Sequence, residues 1–160
     1  MSISKKLSLK EFHEVADNIQ EHFIDLYNKF EESGFKTIHE IENINGFYVF
    51  YEENKAQYVG RTNKKRMKER LKEHSANYSN KNAATFAYRI AKEMKNKLGL
   101  KEVILKDDKH FSEAKDKVRN MKIKTIEVDD PIIQTMFEPY LAFKLKTRIE
   151  DGKYNDFNTH

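Results

Sequence analysis

The sequence predicts an α/β (α+β) protein in which a small mixed or antiparallel sheet is flanked by helices. Two stretches rich in aromatic and β-branched residues, Phe47 to Tyr51 and Gln57 to Thr62, form a hairpin around a polar turn at 52–56. Met121 to Val128 predicts a further strand, and apolar residues elsewhere recur at helical spacing. A length of 160 residues suits one domain with a helical extension.

A long amphipathic helix precedes the hairpin. Ser8 and Glu11 form a capping-box pattern, and apolar residues then recur at helical spacing up to Phe30, with Asp17-Asn18 as a point where the helix divides. The apolar stripe of this helix either covers one face of the sheet or forms a homodimer contact. We therefore expect a helical extension over residues 1–44 and the main domain over 45–160.

The helix after the hairpin is predicted to be capped by Thr62 or Asn63, whose side chains accept a hydrogen bond from a first-turn amide. Met67 and Leu71 lie four residues apart and give this helix a buried edge. Arg66, Arg70 and His74 share a neighbouring stripe that can face a ligand.

Further along the chain, local patterns predict more elements. We expect a short strand at 103–105, and a helix that Asp107 or Asp108 caps. Asp130-Pro131 is a strong helix start, because a capping carboxylate precedes a proline at the first helical position. Pro139 predicts a kink in that last helix, or two helices that meet there.

The composition excludes several classes of protein. The chain has no cysteine, which rules out a disulfide framework, a zinc–thiolate site and a cysteine nucleophile. No apolar run is long enough to cross a bilayer, and residues 1–30 show no signal-peptide core. We expect a cytoplasmic protein that does not associate with membranes.

Positive charge is concentrated directly after the hairpin. Residues 61–74 hold seven lysines and arginines against two glutamates, Glu69 and Glu73. One interpretation is a solvated helix face on which these glutamates pair with their neighbours. The other is a phosphate-binding surface that includes Lys64, Lys65 and Arg66, and the pair of tyrosines just before it favours this one.

A combination of residues in this stretch resembles the signature of the GIY-YIG nuclease family. Gly46-Phe47-Tyr48 has Phe where the family name has Ile, and Tyr58-Val59-Gly60 follows ten residues later with Val for Ile. An Arg and a His four residues apart, Arg70 and His74, then lie on the next helix. Arg70 is about two residues further from Tyr58 than is usual in this family, so Arg66 or Lys68 competes for its role. The resemblance spans roughly residues 45 to 155.

The resemblance implies a three-stranded GIY-YIG-like sheet and a hydrolytic site built from Tyr48, Tyr58, Arg70 and His74. One tyrosine activates or positions the attacking water, and Arg70 holds the scissile phosphate with its guanidinium fork. A phenol titrates near pH 10 and needs nearby cations to act as a base, and Arg61 and Arg70 are placed to lower that pKa. Tyr48 and Tyr58 share a sheet face if the hairpin loop has an odd number of residues.

The resemblance also implies one divalent metal ion, Mg²⁺ or Mn²⁺, held by a single carboxylate on a late helix. Glu138 lies off the apolar stripe of the matching helix and is the candidate ligand, with Glu127, Asp129 or Asp130 next in line. Asn155, or Asn158, matches an asparagine that helps to hold the DNA and the geometry of the site. Arg61, Lys64, Lys65, Arg66 and Asn155 are therefore the expected substrate-binding residues.

The function that follows from the resemblance is that of a metal-dependent DNA endonuclease, with DNA as its partner. The alternative is a catalytically inactive nucleic-acid-binding protein of the same fold. A third interpretation is a structural or oligomerisation protein in which the hairpin merely forms core.

Overall fold

The computed structural model describes residues 5–158 and has an α+β fold, as the sequence predicts. Its sheet has three antiparallel strands in the order β2-β1-β3. The strands are β1 (Gly46–Glu52), β2 (Lys55–Thr62) and β3 (Lys122–Glu127). The first strand is therefore central, and β2 forms an edge of the sheet.

Six helices surround this sheet: α1 (Leu9–Asp17), α2 (Ile19–Glu32), α3 (Met67–Glu73), α4 (Thr85–Lys97), α5 (Lys109–Arg119) and α6 (Pro131–Leu145). Short 3₁₀ helices lie at Ile38–Glu40 and Ile149–Asp151. Within residues 5–158, no helix is long and apolar enough to cross a membrane.

The sheet separates two hydrophobic cores, because successive side chains of a strand point to opposite faces. Phe47 and Val49 of β1 pack with α1, α2 and α6 on one face, which we call the terminal face. Tyr48 and Phe50 pack with α3, α4 and α5 on the other, which we call the central face. The two faces thus receive alternate residues of one strand.

The N-terminal helices belong to the core of the terminal face. The Ser8–Glu11 capping box is present, and Asn18 separates α1 from α2, which are two elements. The amide of Leu7 donates to the carboxylate of Asp130 at 2.9 Å, which ties the start of α1 to the start of α6. Residues of the helical extension therefore cover one face of the sheet.

Four local predictions meet different outcomes. The prediction of a strand at 103–105 is wrong. Val103 and Leu105 are largely exposed, and no strand lies beside them to supply hydrogen bonds. Asp108 caps α5, as one of the two residues predicted. The Asp130-Pro131 start of α6 is confirmed. The idea of two helices meeting at Pro139 is wrong, since α6 runs through it as one element.

The predicted cap of α3 is also wrong. Neither Thr62 nor Asn63 caps the helix, which starts at Met67 with Arg66 at the N-cap position and no side-chain cap. Lys64 and Lys65 intervene, with φ angles of 61° and 50°. Their left-handed backbone makes a turn where a continuous helix was expected. Met67 and Leu71 form the buried edge of α3 as predicted.

Candidate functional site: a groove at the edge of the sheet

A groove of about 470 Å³ opens along the edge strand β2. It lies between β2, α4, α6 and the C-terminal tail. The lining residues that carry polar or charged groups are Tyr58, Arg61, Arg89, Thr135, Glu138, Asn155 and Asp156. Four of the predicted site residues therefore line one cavity although they are separated by up to 97 positions in the sequence: Tyr58, Arg61, Glu138 and Asn155.

A β-bulge places Tyr58 on the same face of the sheet as Tyr48. The hairpin loop has two residues, Glu53 and Asn54, both with positive φ, so the expected odd-numbered loop is wrong. The register shifts by one residue between Phe50 and Tyr51, so that β2 carries one extra residue at this point. The extra residue returns Tyr58 to the face of the sheet that an odd-numbered loop would have given it. Tyr48 therefore pairs with Gly60, two positions from Tyr58, and both tyrosines point to the central face.

Tyr48 is buried, with only 1% of its surface exposed, and its ring lies directly over Gly60. A β-carbon at Gly60 would lie 2.2 Å from Cζ of Tyr48, which no real contact permits. The space beside Gly46 is also occupied, because a β-carbon there would lie 2.0 Å from the carbonyl oxygen of Ile126. Other parts of the protein therefore occupy the space beside both glycines.

The hydroxyl of Tyr48 forms a hydrogen bond with Nε2 of His74 at 2.6 Å. His74 is completely buried, and burial, followed by the charge of Arg70, holds its pKa well below the usual range. The imidazole is therefore neutral at physiological pH. Its other ring nitrogen, Nδ1, has no hydrogen-bond partner among residues 5–158. The expectation that His74 faces a ligand is wrong, because it lies behind Tyr48.

Arg70 lies near the buried pair of Tyr48 and His74 and binds groups on α3 and in the loop before α4. Its Nη1 donates to the carbonyl of Ala83 at 2.7 Å and to Oε2 of Glu73 at 3.2 Å. Burial raises the pKa of Tyr48, and the charge of Arg70 opposes that shift. Arg70 is therefore close enough to Tyr48 to stabilise its anion, and about a quarter of the side chain remains exposed.

Tyr58 forms the wall of the groove. Its ring stacks on Phe86 at 4.8 Å and meets His74 edge-on at 5.7 Å. Burial raises the pKa of Tyr58, while Arg89 and Arg70 lower it by their charges. The expected role of Arg61 in lowering this pKa is wrong: Arg61 points to the terminal face because it is an odd number of residues from Tyr58. Arg89 supplies the charge instead.

Arg61 and Glu138 form an ion pair across the groove. Nε of Arg61 lies 2.8 Å from Oε2 of Glu138, and Nη1 of Arg61 donates to the hydroxyl of Thr135 at 3.0 Å. The charge of Glu138 raises the pKa of both Tyr48 and Tyr58, so the carboxylate acts electrostatically on both phenols. The ion pair thus ties Glu138 of α6 to the edge strand β2.

The donor chemistry at Glu138 fits a metal ion held by a single carboxylate. Mg²⁺ prefers oxygen ligands, keeps several waters, and often binds through one carboxylate and a substrate phosphate. The side chain of Glu138 is 23% exposed on the groove. No cluster of three or more potential metal-ligating side chains exists within residues 5–158, so any metal here depends on water or substrate for its other ligands.

The alternative carboxylates already have structural roles. Both oxygens of Asp130 are engaged, one in capping α6 and the other with the amide of Leu7. Oδ1 of Asp129 accepts from the side chain of Asn45 at 3.1 Å. Glu127 is exposed at the end of β3 and does not line the groove.

Asn155 holds the outer edge of β2. Its Oδ1 accepts from the amide of Val59, and its Nδ2 donates to the carbonyl of the same residue, both at 2.8 Å. The side-chain amide therefore pairs with the backbone of the edge strand as a neighbouring strand would. This contact fixes β2 between Tyr58 and Gly60. A direct contact of Asn155 with DNA stays a prediction.

The remaining predicted substrate-binding residues lie beyond the end of β2. Lys64, Lys65 and Arg66 are exposed, and the amide of Lys65 donates to Oδ1 of Asn45 at 2.7 Å. Arg66 pairs with Glu73 at 2.9 Å, and Arg70 shares the same carboxylate. The pairing of Glu73 with its neighbours, one of the two interpretations of the charge run, is therefore present. Contact with phosphate stays a prediction.

Sequence reasoning missed two residues of the groove. Thr135 lies one turn before Glu138 on α6 and binds Arg61, but a threonine in a helix gives no signal of function. Arg89 lies on α4, where the local sequence does not distinguish it from the other basic residues of that helix. Its position beside Tyr58 depends on how α4 packs, which the local sequence does not determine.

No family model matches the chain, and neither a characterised protein nor a solved structure matches it significantly.

Proposed function

We propose that this chain is a metal-dependent DNA endonuclease of the GIY-YIG type, which hydrolyses phosphodiester bonds in the groove beside β2. The observation that carries the proposal is geometric: Tyr58, Arg61 and Glu138, which are distant in the sequence, line one groove, and Nε of Arg61 lies 2.8 Å from Oε2 of Glu138. A purely structural hairpin has no need of a phenol, a guanidinium and a carboxylate around one cavity.

Tyr58 is the residue of this set that meets the attacking water. Tyr58 lines the groove, whereas Tyr48 does not line it and has its hydroxyl bound to His74. Arg89 and Arg70 favour the phenolate of Tyr58 by their charges, which is what a phenol needs to accept a proton from water. Tyr48 and His74 then act as a rigid support that positions Arg70.

Arg61 and Arg70 stabilise the phosphate from two sides of the edge strand. Negative charge accumulates on the phosphoryl oxygens in the transition state, and fixed guanidinium donors stabilise it. Arg61 is held by Thr135 and Glu138, and Arg70 by Ala83 and Glu73, so neither has to be ordered when the substrate binds. Glu138 is the residue that would hold Mg²⁺, which would supply a Lewis acid for the phosphate.

An inactive nucleic-acid-binding protein of the same fold is the second candidate. Burial raises the pKa of both tyrosines, which disfavours the phenolate needed for catalysis. The ion pair between Arg61 and Glu138 also places a cation on the proposed metal ligand. These two observations favour a protein that binds a phosphate backbone without cleaving it.

Incubation with supercoiled plasmid separates the two candidates. An endonuclease converts the plasmid to nicked or linear forms in Mg²⁺ or Mn²⁺ and leaves it intact in EDTA. An inactive binder retards the plasmid in both buffers and leaves it intact. If the plasmid is neither cleaved nor retarded, both candidates are wrong.

A further inference from the structure

A second groove, which we call the lysine groove, opens at the turn end of the hairpin. It has a volume of about 470 Å³ and is lined by five lysines: Lys55, Lys124, Lys144, Lys146 and Lys153. These residues come from β2, β3, the C-terminal end of α6 and the tail. The only carboxylate among its lining residues is Glu31. A concavity lined by one sign of charge concentrates counter-ions.

The charges of the lysine groove are not neutralised within the protein. None of its five lysines forms an ion pair with a carboxylate anywhere in residues 5–158. The arginines of the α3 region differ, because Arg66 and Arg70 share Glu73. Five unpaired ammonium groups around one concavity repel each other, and an anion bound there would relieve that repulsion.

Lys124 is fixed at the base of this groove. Its Nζ donates to the backbone carbonyl of Glu31 at 3.0 Å and lies 5.0 Å from the ring centre of Phe35 and 5.9 Å from that of Tyr51. Lys153 is held as well, with its Nζ 3.3 Å from Oε1 of Gln57. Lys55, Lys144 and Lys146 are exposed around them. The groove thus combines two lysines held by hydrogen bonds with three exposed ones.

The groove lies on the same strand as the candidate active site. Lys55 and Tyr58 are three residues apart on β2, which corresponds to roughly 10 Å of extended chain. Lys153 lies two residues before Asn155, whose side chain binds Val59. One strand of DNA places successive nucleotides about 3.4 Å apart along its axis. A DNA strand that follows β2 from Tyr58 would therefore reach Lys55 after about three nucleotides.

We propose that the lysine groove is a second phosphate-binding site that holds the DNA backbone about three nucleotides from the bond at Tyr58. This proposal rests on DNA being the substrate of the edge groove. Lysine supplies point charges without the planar fork that reads a base edge, so the contact is independent of sequence. Lys64 and Lys65 are exposed beyond the other end of β2. They would then contact the same DNA on the side of Tyr58 opposite to the lysine groove.

The test replaces the three exposed lysines in a triple variant, Lys55→Gln, Lys144→Gln and Lys146→Gln. A matched control, Lys10→Gln, Lys101→Gln and Lys106→Gln, removes the same net charge from exposed sites that do not line this groove. Binding of the full chain to a fluorescent duplex of about 30 base pairs is measured in EDTA over a range of KCl concentrations. Each lost phosphate contact lowers the slope of log affinity against log salt by about 0.9.

We expect the groove variant to bind about tenfold or more weakly and its slope to fall by two to three, roughly one per lysine removed. The control should keep most of the wild-type slope. Equal affinity and slope for the two variants would overturn the proposal. So would a groove variant that keeps its DNA affinity but loses affinity for polyglutamate, because the groove would then bind an acidic polypeptide.

Binding in EDTA keeps this test separate from catalysis. If the wild type binds DNA through the groove but never cleaves it, the endonuclease is wrong and the second phosphate site stands. If the wild type cleaves plasmid and the groove variant binds DNA like the control, the second site is wrong and the endonuclease stands.

Discussion

Tyr48 and Tyr58 are the same type of residue on the same face of one hairpin, yet their surroundings differ. Tyr48 lies beneath the surface over Gly60, with its hydroxyl bound to His74. Tyr58 stacks on Phe86 and reaches the groove that contains Glu138. The difference teaches that a sequence motif can place two equal groups close together while the fold gives them unequal access to a ligand. We expect Tyr48 to support the site and Tyr58 to meet the substrate.

The packing of the Tyr48 ring against Gly60 should be the feature most sensitive to mutation. Gly60→Ala puts a methyl group where Cζ and the hydroxyl of Tyr48 lie, so the ring has to move. Such overpacking typically costs about 1–3 kcal/mol, and the 2.2 Å approach to a buried ring predicts a loss near the top of that range, about 3 kcal/mol. Urea denaturation measures it.

Gly34→Ala is the matched control, because no atom lies within 4 Å of a β-carbon at Gly34. It should change the unfolding free energy by less than about 0.5 kcal/mol. If Gly60→Ala is as mild as Gly34→Ala, Tyr48 is not confined as described.

Removing the hydroxyl of Tyr58 should affect cleavage and leave folding intact. Tyr58→Phe keeps the stack on Phe86 but loses the hydroxyl that we propose accepts a proton from water. We expect cleavage to fall by about a hundredfold or more, the range typical of an acid–base group. Stability should match that of the wild type. The plasmid-nicking rate and thermal unfolding are the two measurements.

The pH profile of cleavage gives a second view of Tyr58. Because its pKa is raised, the phenolate is a minor species at neutral pH, and the wild-type rate should increase from about pH 7 to 9. Tyr58→Phe should lose this increase. A wild-type rate that is flat over this range would mean that no phenol acts as the base.

Tyr48→Phe should reduce stability more, and cleavage less, than Tyr58→Phe does. The change leaves the buried Nε2 of His74 without its partner, and an unsatisfied buried polar group costs about 1–3 kcal/mol. Cleavage per folded molecule should fall by less than in Tyr58→Phe, since Tyr48 does not meet the substrate. A stable Tyr48→Phe variant with the larger catalytic loss would reverse the roles assigned to the two tyrosines.

The buried His74 also predicts how stability depends on pH. Its pKa is lowered on folding, so the unfolded chain binds more protons below the ordinary histidine value near 6.5. The stability it contributes is therefore present above that pH and is lost as the pH falls, at up to about 1.4 kcal/mol per pH unit. Denaturation of the wild type at pH 7, 6 and 5 tests this.

His74→Gln is the control, because it keeps a polar group near Tyr48 but does not titrate. The variant should lose less stability between pH 7 and 5 than the wild type does. Parallel pH profiles for the two proteins would contradict a neutral, buried His74.

The smallest predicted effect concerns the end of β2 beyond Thr62. Lys64→Ala with Lys65→Ala should weaken DNA binding for all sequences alike and lower the salt slope by about two. Folding should hardly change, because both side chains are exposed. However, both residues have positive φ, so circular dichroism should verify that the turn is intact. An unchanged slope would mean that this end of the strand faces solvent in the complex.

Local rules predicted those parts of the fold that depend on a few neighbouring residues. The capping box at Ser8 and the Asp130-Pro131 start are set by hydrogen bonds within one turn of helix, and both are present. The strand register is not local in this sense. The bulge between Phe50 and Tyr51 decides which face Tyr58 occupies, and no residue type in the hairpin signals it.

The candidate site shows the same division between features set by neighbouring residues and features set by tertiary packing. The motif residues were found because their spacing is characteristic, whereas the ion pair between Arg61 and Glu138 joins residues from β2 and α6 that only tertiary packing brings together. Positive charge was recognised where it is contiguous, at residues 61–74. The lysine groove escaped notice because four separate segments contribute to it.

The central claim is that Glu138 holds a metal ion beside Tyr58, and Glu138→Gln tests it most directly. The change keeps the shape of the side chain and removes the anionic ligand. Glu127→Gln is the matched control, since Glu127 is exposed and does not line the groove. Plasmid nicking across a Mg²⁺ titration is the measurement, with a DNA-binding curve in EDTA for each protein. We predict that Glu138→Gln abolishes Mg²⁺-dependent cleavage and still binds DNA, while Glu127→Gln cleaves like the wild type. Full cleavage by Glu138→Gln would contradict the assignment of the metal to this groove.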